Sequence, residues 1–156
     1  MMQTWSTWNA SWLWSFALIA ITITIHLIGI GLIVLTIERF RARLVRSMRT
    51  HLASLPATIA LIVVVALALA LLHGIESMIW AITYVRLGAL RSPADAALYS
   101  VDSMTTRGAS ALVLARDWRM MGAVEAGDGM LLFGISTAFL FYVMIRLWKT
   151  NANIYF

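Results

Sequence analysis

Three long apolar stretches, separated by polar segments, dominate the pattern of the chain. They cover residues 11–37, 57–85 and 129–147. A bilayer core of about 30 Å is crossed by a helix of roughly 20 mainly apolar residues, and each stretch has that character. The sequence therefore predicts an all-α integral membrane protein with three transmembrane helices.

A shorter helix signal lies between the second and third of these spans. Ser92 is a good N-cap, Pro93 suits the first helical position, and Asp95 puts a carboxylate at the positive end of the helix dipole. We expect a helix over residues 93–104, about 18 Å long at 1.5 Å per residue, which is only half of a bilayer core. Such a helix is either a re-entrant pore helix surrounded by protein or a surface helix on an extracellular loop.

The predicted short helix ends in a loop of small, polar and charged residues. The loop consists of Thr105, Thr106, Arg107, Gly108, Ala109 and Ser110. Irregular backbone at membrane depth is tolerated where it is buried in protein or lines a water-filled path. If the short helix is re-entrant, this loop is the candidate pore lining.

Five arginines follow the first span. They surround an apolar helical face formed by Phe40, Leu44, Met48 and Leu52. The arginines are Arg39, Arg41, Arg43, Arg46 and Arg49. This pattern predicts an amphipathic interfacial helix that contacts anionic lipid headgroups. The positive-inside rule then places this segment and the C-terminus in the cytoplasm and the N-terminus outside, as in a multi-pass protein of a bacterial inner membrane.

Composition supports this interpretation and excludes several function classes. The chain is 62% hydrophobic and 12% charged, far more apolar than a typical soluble domain, and the absence of cysteine rules out disulfides and thiolate sites. The net charge of +5 is accounted for by lipid contacts, so we expect no nucleic-acid partner. No set of catalytic residues and no sufficient metal-ligand cluster stands out in the sequence, so we expect neither enzymatic activity, nor a cofactor, nor a bound metal.

The same pattern divides the chain into three parts. Residues 1–52 form an outer transmembrane helix with its basic connector. Residues 53–149 form a unit of two transmembrane helices with the short helix and loop between them. Residues 150–156 are a cytoplasmic tail.

Within the second part, roughly residues 57–148 resemble the potassium-channel-like pore module of tetrameric cation channels, most closely its small bacterial members. The resemblance is carried by H-G-I-E-S-M-I-W-A at 73–81, A-L-Y-S-V-D-S-M-T-T-R-G at 97–108, and W-R-M-M-G-A-V-E-A-G-D-G-M-L-L-F-G at 118–134. It implies a homotetramer around one axis that conducts monovalent ions, in which backbone carbonyls of the filter replace the ion's water shell.

The loop departs from the family's Thr-Val-Gly-Tyr-Gly filter. Thr106 and Gly108 match, whereas Arg107, Ala109 and Ser110 replace the valine, the tyrosine and the second glycine. A serine adopts the required positive φ only at a cost, and an alanine cannot brace the filter from behind. We therefore expect poor or altered potassium selectivity.

Arg107 allows two arrangements. If its guanidinium faces the axis, fourfold symmetry creates a ring of positive charge that repels cations. If it faces away, it needs a carboxylate, because a lone charge at membrane depth costs about 2.5–3.5 kcal/mol. Asp102 and Glu76 are the candidate partners, and we favour this paired arrangement.

His73, Glu76 and Trp80 share one face of the second span, so they must face protein. Together with Asp102 they are candidates for supporting the filter from behind. His26 of the first span adds a third potential ligand, so a proton relay or a metal site is the alternative to a hydrogen-bonded brace.

Gly134, Ser136 and Thr137 are the remaining candidates, in the third span. The resemblance implies that Gly134 is the hinge of an inner helix and that the two hydroxyls line a cavity. Ordinary helix packing through small residues explains the same pattern.

Three functions follow from this sequence. The first is a tetrameric ion channel, the second a non-conducting structural or regulatory homologue plugged by Arg107. The third is a proton- or metal-coupled transporter that uses His26, His73 and Glu76, although the chain lacks the inverted repeats of such proteins.

Overall fold

The computed structural model describes residues 2–47, 55–108 and 111–155, with side chains for 8–39, 56–108 and 111–148. The helices are α1 (Met2–Ser47), α2 (Leu55–Arg86), α3 (Pro93–Met104) and α4 (Arg119–Tyr155), and a 3-10 turn covers Arg116–Trp118. No strand occurs among the described residues, which confirms the all-α prediction for them.

Three of the helices contain segments long and apolar enough to cross a membrane. These segments are Trp8–Arg39, Pro56–Arg86 and Arg116–Trp148. The number of spans and their order agree with the sequence prediction.

Two helices extend beyond the predicted spans. Helix α1 continues past residue 37 to Ser47, because no glycine or proline interrupts the arginine-rich segment. The side chains of residues 40–52, including the predicted lipid-binding face, lie outside the described residues. Helix α4 begins at Arg119, ten residues before the predicted start of the third span at Gly129, so its first turns carry charged residues into the helix.

Helix α3 has the bounds that the local sequence signals predict. The side chain of Ser92 accepts a hydrogen bond from the backbone N–H of Asp95 at 3.2 Å, and Pro93 occupies the first turn. The predicted N-cap is therefore confirmed. It satisfies one of the backbone donors that a helix start leaves open.

Two helix ends use the same left-handed cap. After α2, Ala89 donates to the carbonyl of Tyr84 and Gly88 donates to that of Val85, with Gly88 at φ 68°. This double bond pattern is a Schellman motif, in which glycine is the favoured residue because it has no Cβ. The chain can thus turn sharply out of α2 toward α3.

Contacts divide the chain into two compact units. One consists of Met1–His26 and His73–Phe133, and the other of Leu27–Leu72 and Gly134–Phe156. The first unit contains the core residues Trp80, Tyr84 and Met121, which are fully buried. In the second unit, Gly29 allows Leu72 to approach α1 closely.

Candidate functional site around α3 and the buried carboxylates

Two serine hydroxyls of α3 donate hydrogen bonds to the backbones of neighbouring helices. Ser100 donates to the carbonyl of Ser77 in α2 at 2.6 Å, and Ser103 donates to the carbonyl of Gly122 in α4 at 3.0 Å. All of these contacts are buried. Both acceptors are carbonyls within regular helices, so α3 is fixed to the backbones of α2 and α4.

The end of α3 approaches α4 at Gly129. A Cβ atom at this glycine would collide with the carbonyl group of Met104, the last residue of α3. Gly129 lies ten residues after the start of α4 at Arg119, and Ser77 lies nine residues before the end of α2 at Arg86, or about 15 and 13.5 Å along the two helices. The carboxyl end of α3 therefore packs well inside the ends of two membrane-length helices.

Glu125 of α4 is the fully buried carboxyl group that joins α2, α3 and α4. Its Oε2 accepts a hydrogen bond from the Tyr84 hydroxyl at 2.6 Å, and its Oε1 is in a short hydrogen bond with the Ser100 hydroxyl. A serine hydroxyl has one proton, and the carbonyl of Ser77 can only accept it. A proton on the Glu125 carboxyl would complete the second contact.

Tyr99 fills the space beside this carboxyl group. Its ring meets that of Tyr84 edge to face, with centroids 5.5 Å apart, and a Cβ atom at Gly122 would collide with its hydroxyl. Burial raises the pKa of the Tyr99 phenol above its usual value. The phenol therefore stays neutral throughout the physiological pH range.

A second buried carboxyl group, Asp128, joins α1, α2 and α4. Its Oδ2 accepts hydrogen bonds from the Thr22 hydroxyl at 2.7 Å and from the Trp80 indole N–H at 3.1 Å. Its Oδ1 is buried and has no hydrogen-bond partner among the described residues. An orphaned buried oxygen of this kind is costly and uncommon.

His26, His73 and Glu76 come together as the sequence suggested. Oε1 of Glu76 is 2.9 Å from Nδ1 of His26, and its Oε2 is 3.3 Å from Nδ1 of His73. His26 and Glu76 are fully buried, and the ring of His73 stacks on Phe133 with centroids 4.1 Å apart. The predicted inward face of α2 is confirmed, and Trp80 on the same face binds Asp128.

The loop after α3 begins with a second Schellman motif. Arg107 donates to the carbonyl of Asp102 and Thr106 to that of Ser103, at 3.0 and 2.9 Å, and the hydroxyl of Thr105 donates to Val101 at 2.7 Å. The left-handed residue here is Thr106, at φ 57°, followed by Gly108 at φ 75°. A β-branched residue with positive φ is an outlier, and such strain tends to occur at functional sites. Ala109 and Ser110 lie outside the described residues.

Arg107 is paired with Asp102, as the paired interpretation predicted. Its guanidinium lies 2.5 Å from the Asp102 carboxylate, whose side chain is 5% exposed, while the Arg107 side chain is 67% exposed. The hydrogen bond from the guanidinium to Asp102 raises the pKa of Arg107 further above its already high value. The guanidinium therefore stays charged at any physiological pH.

The remaining predicted positions belong to the second compact unit. Helix α4 continues through Gly134, whose missing side chain would meet no atom within 4 Å. Ser136 is buried, whereas Gly134 and Thr137 are exposed in the single chain. A hinge and a cavity lining remain predictions.

Sequence reasoning missed the roles of Glu125 and Asp128. Their charge assigned them to the polar segment before the third span, but both lie inside α4 and are 0% and 1% exposed. The correction has a physical reason, because each carboxyl group has buried hydroxyl or indole donors that replace water. Their spacing of three residues, which puts them on one helical face like His73 and Glu76, was the available signal.

No protein-family model, curated protein or solved structure matches the chain.

Proposed function

We propose that this chain is one subunit of a tetrameric, pore-loop ion channel in a membrane, with altered or poor potassium selectivity. The observation that carries the proposal is α3, a helix of 12 residues whose carboxyl end is bonded well inside two membrane-length helices. A helix of about 18 Å cannot cross a bilayer core. It fits the role of a re-entrant pore helix.

The exposed parts of α3 and its loop support an assembly of several chains. Leu98 and Val101 on α3 are exposed in the single chain, as is the strained loop from Thr105 to Gly108. Irregular backbone at membrane depth needs surrounding protein or a water-filled path. Four copies around one axis would bury the apolar face of α3 and leave the loop at a central pathway.

The charges near the loop favour the passage of cations, with little discrimination between one cation and another. The carboxyl end of α3 carries partial negative charge, and the positive charge of Arg107 is opposed by Asp102. The left-handed conformation of Gly108 is of the kind that a carbonyl filter uses, but Ala109 and Ser110 replace the residues that would stiffen it. We therefore expect monovalent ions to pass with weak discrimination.

The same proposal implies a location and an orientation in a membrane. The apolar helices would cross a bacterial inner membrane with the N-terminus outside and the C-terminus in the cytoplasm, and Arg39–Arg49 would bind anionic headgroups. No enzymatic step is proposed.

One alternative is favoured by a specific observation. Because the Arg107 side chain is 67% exposed in the single chain, four copies of it could also meet at the axis and close the path. The protein would then be a non-conducting structural or regulatory homologue.

Two measurements on the purified protein test the proposal. Native mass spectrometry in mild detergent should give tetramers, and a species no larger than a dimer would contradict the assembly. In proteoliposomes, Na⁺ and K⁺ fluxes should differ by less than about tenfold, which corresponds to ~1.4 kcal/mol. A stronger preference for K⁺ would refute the selectivity proposed for the loop.

A matched pair of arginine variants separates the channel from its plugged homologue. Arg107→Val should change ion flux only modestly if the paired arginine stands away from the axis. Arg116→Val removes another exposed arginine, in the 3-10 turn, and is the control. A flux that is absent in the wild type and large in Arg107→Val alone would establish the plugged homologue.

A further inference from the structure

Three side chains from two helices surround a small volume in the first compact unit. Nδ1 of His26, Nδ1 of His73 and the carboxylate of Glu76 are held at 2.9 and 3.3 Å, and one potential ligand atom from each residue lies within 4.8 Å of the other two. All three residues are buried. They are the one such group of three or more ligating side chains in the described part of the chain.

Two buried carboxyl groups in the first compact unit need protons or a cation to balance their charge. Glu76 and Asp128 are both buried, and Trp80, about one helical turn after Glu76 in α2, donates a hydrogen bond to Asp128. Two buried carboxylates beside two neutral imidazoles would carry two uncompensated negative charges inside membrane-length helices, which is costly. Two protons or one divalent cation would neutralise the group.

We propose that His26, His73 and Glu76 bind a divalent first-row transition-metal ion of the zinc type. Imidazole and carboxylate are ligands of Zn²⁺, with bonds of about 2.0–2.2 Å, so ligand atoms in a tetrahedral site lie about 3.3 Å apart. The two His–Glu distances are close to that value. The mixed nitrogen and oxygen donors disfavour Ca²⁺ and Mg²⁺, which prefer oxygen ligands.

Asp128 would act on a bound metal from outside the ligand set. Its Oδ1 is buried without a hydrogen-bond partner among the described residues, while Oδ2 is held by Thr22 and Trp80. A carboxylate fixed beside a metal site adds negative charge and can accept a hydrogen bond from a bound water or a ligand. A metal site thus gives the unpartnered Oδ1 of Asp128 a role. A brace made only of hydrogen bonds between the two histidines and Glu76 leaves that oxygen without one.

The positions of the ligands determine how an ion reaches the site and what its binding does to the helices. The His73 side chain is 10% exposed and stacks on Phe133, which is 40% exposed, so this aromatic ring covers the approach. A bound ion would tie α1 to α2 beyond their packing contacts. The site does not depend on ion conduction, so it can exist whether or not the protein is a channel.

Metal titration of the purified full-length protein in mild detergent tests the site. Zn²⁺ should bind at about one ion per chain and raise the melting temperature, and Co²⁺ should give the intense visible absorption of a tetrahedral complex. His73→Gln should weaken Zn²⁺ binding at least tenfold, since even loss of an outer carboxylate usually costs about 10–100-fold. Loss of affinity in this variant with an unchanged fold supports the site.

Two further variants guard against misinterpretation. His51→Gln removes the one other histidine in the sequence and should bind Zn²⁺ like the wild type. Asp128→Asn keeps an acceptor for Thr22 and Trp80 but removes a buried negative charge, so it should weaken Zn²⁺ binding without changing the stoichiometry.

Three outcomes would overturn the proposal. They are the absence of stoichiometric binding in the wild type, equal affinity in the wild type and His73→Gln, and loss of binding in His51→Gln. Should His73→Gln fail to fold, the affinity of Asp128→Asn decides, and an unchanged affinity in that variant also overturns the proposal.

Discussion

Replacing Glu125 by alanine should strongly destabilise the packing of α2, α3 and α4. The residue is fully buried, accepts a hydrogen bond from Tyr84 and shares one with the Ser100 hydroxyl. Truncating a buried side chain of this length costs about 2–5 kcal/mol. The Tyr84 hydroxyl loses its acceptor, which adds about 1 kcal/mol in a membrane protein, whereas Ser100 keeps the carbonyl of Ser77.

Two milder variants separate the hydrogen bonds from the packing. Glu125→Gln keeps the volume, an acceptor for Tyr84 and a donor for Ser100, so its cost should stay below about 1 kcal/mol. Tyr84→Phe removes one hydroxyl and leaves one carboxyl oxygen without that donor, so it should cost about 1 kcal/mol. From highest to lowest, the expected order of melting temperatures is wild type, Glu125→Gln, Tyr84→Phe and then Glu125→Ala.

Thermal unfolding in mild detergent, followed by tryptophan fluorescence, measures this order. At about 2–4 °C per kcal/mol for a chain of this size, a total loss of about 3–6 kcal/mol should make Glu125→Ala melt roughly 6–24 °C below the wild type. Equal losses in Glu125→Gln and Glu125→Ala would refute the reasoning, because the negative charge rather than the hydrogen-bond network would then hold the helices. A wild-type melting temperature in Glu125→Ala would show that this carboxyl group does not join them.

Three further variants probe the loop and the histidine cluster by thermal unfolding and flux. Thr106→Gly should raise stability by about 1 kcal/mol, because glycine adopts the left-handed conformation without a Cβ clash, whereas Gly88→Ala at the equivalent cap should lower it by a similar amount; a loss in both would contradict the assigned caps. Arg107→Val should lower the melting temperature by a few degrees, since Asp102 loses its partner, while a stable variant with much larger cation flux would favour a plug. Glu76→Gln should destabilise the metal-free protein by about 1–3 kcal/mol, because two histidines lose their carboxylate, and unchanged stability would argue against that contact.

Local sequence signals were sufficient for the presence of the four α-helices and for the bounds of α3. The bounds of α3 follow from Ser92 and Pro93, which set the start of a helix through the nearest backbone groups. The three long helices follow from apolar composition alone, because a helix satisfies its own backbone and needs only enough apolar residues to span a membrane. The pairing of Arg107 with Asp102 was also predictable from local sequence, because Arg107 follows Asp102 by only five positions, across the end of α3.

Only the tertiary structure decided the roles of the buried carboxyl groups. Glu125 and Asp128 look like parts of a polar connection when they are read along the chain. Their donors lie far away in sequence, because Glu125 follows Tyr84 by 41 positions and Asp128 follows Thr22 by 106 positions. A charge can be buried when distant groups replace its water, and no periodic pattern in one segment encodes such a set of donors. The apolar pattern of the sequence determined which helices form, and their packing determined which polar groups meet.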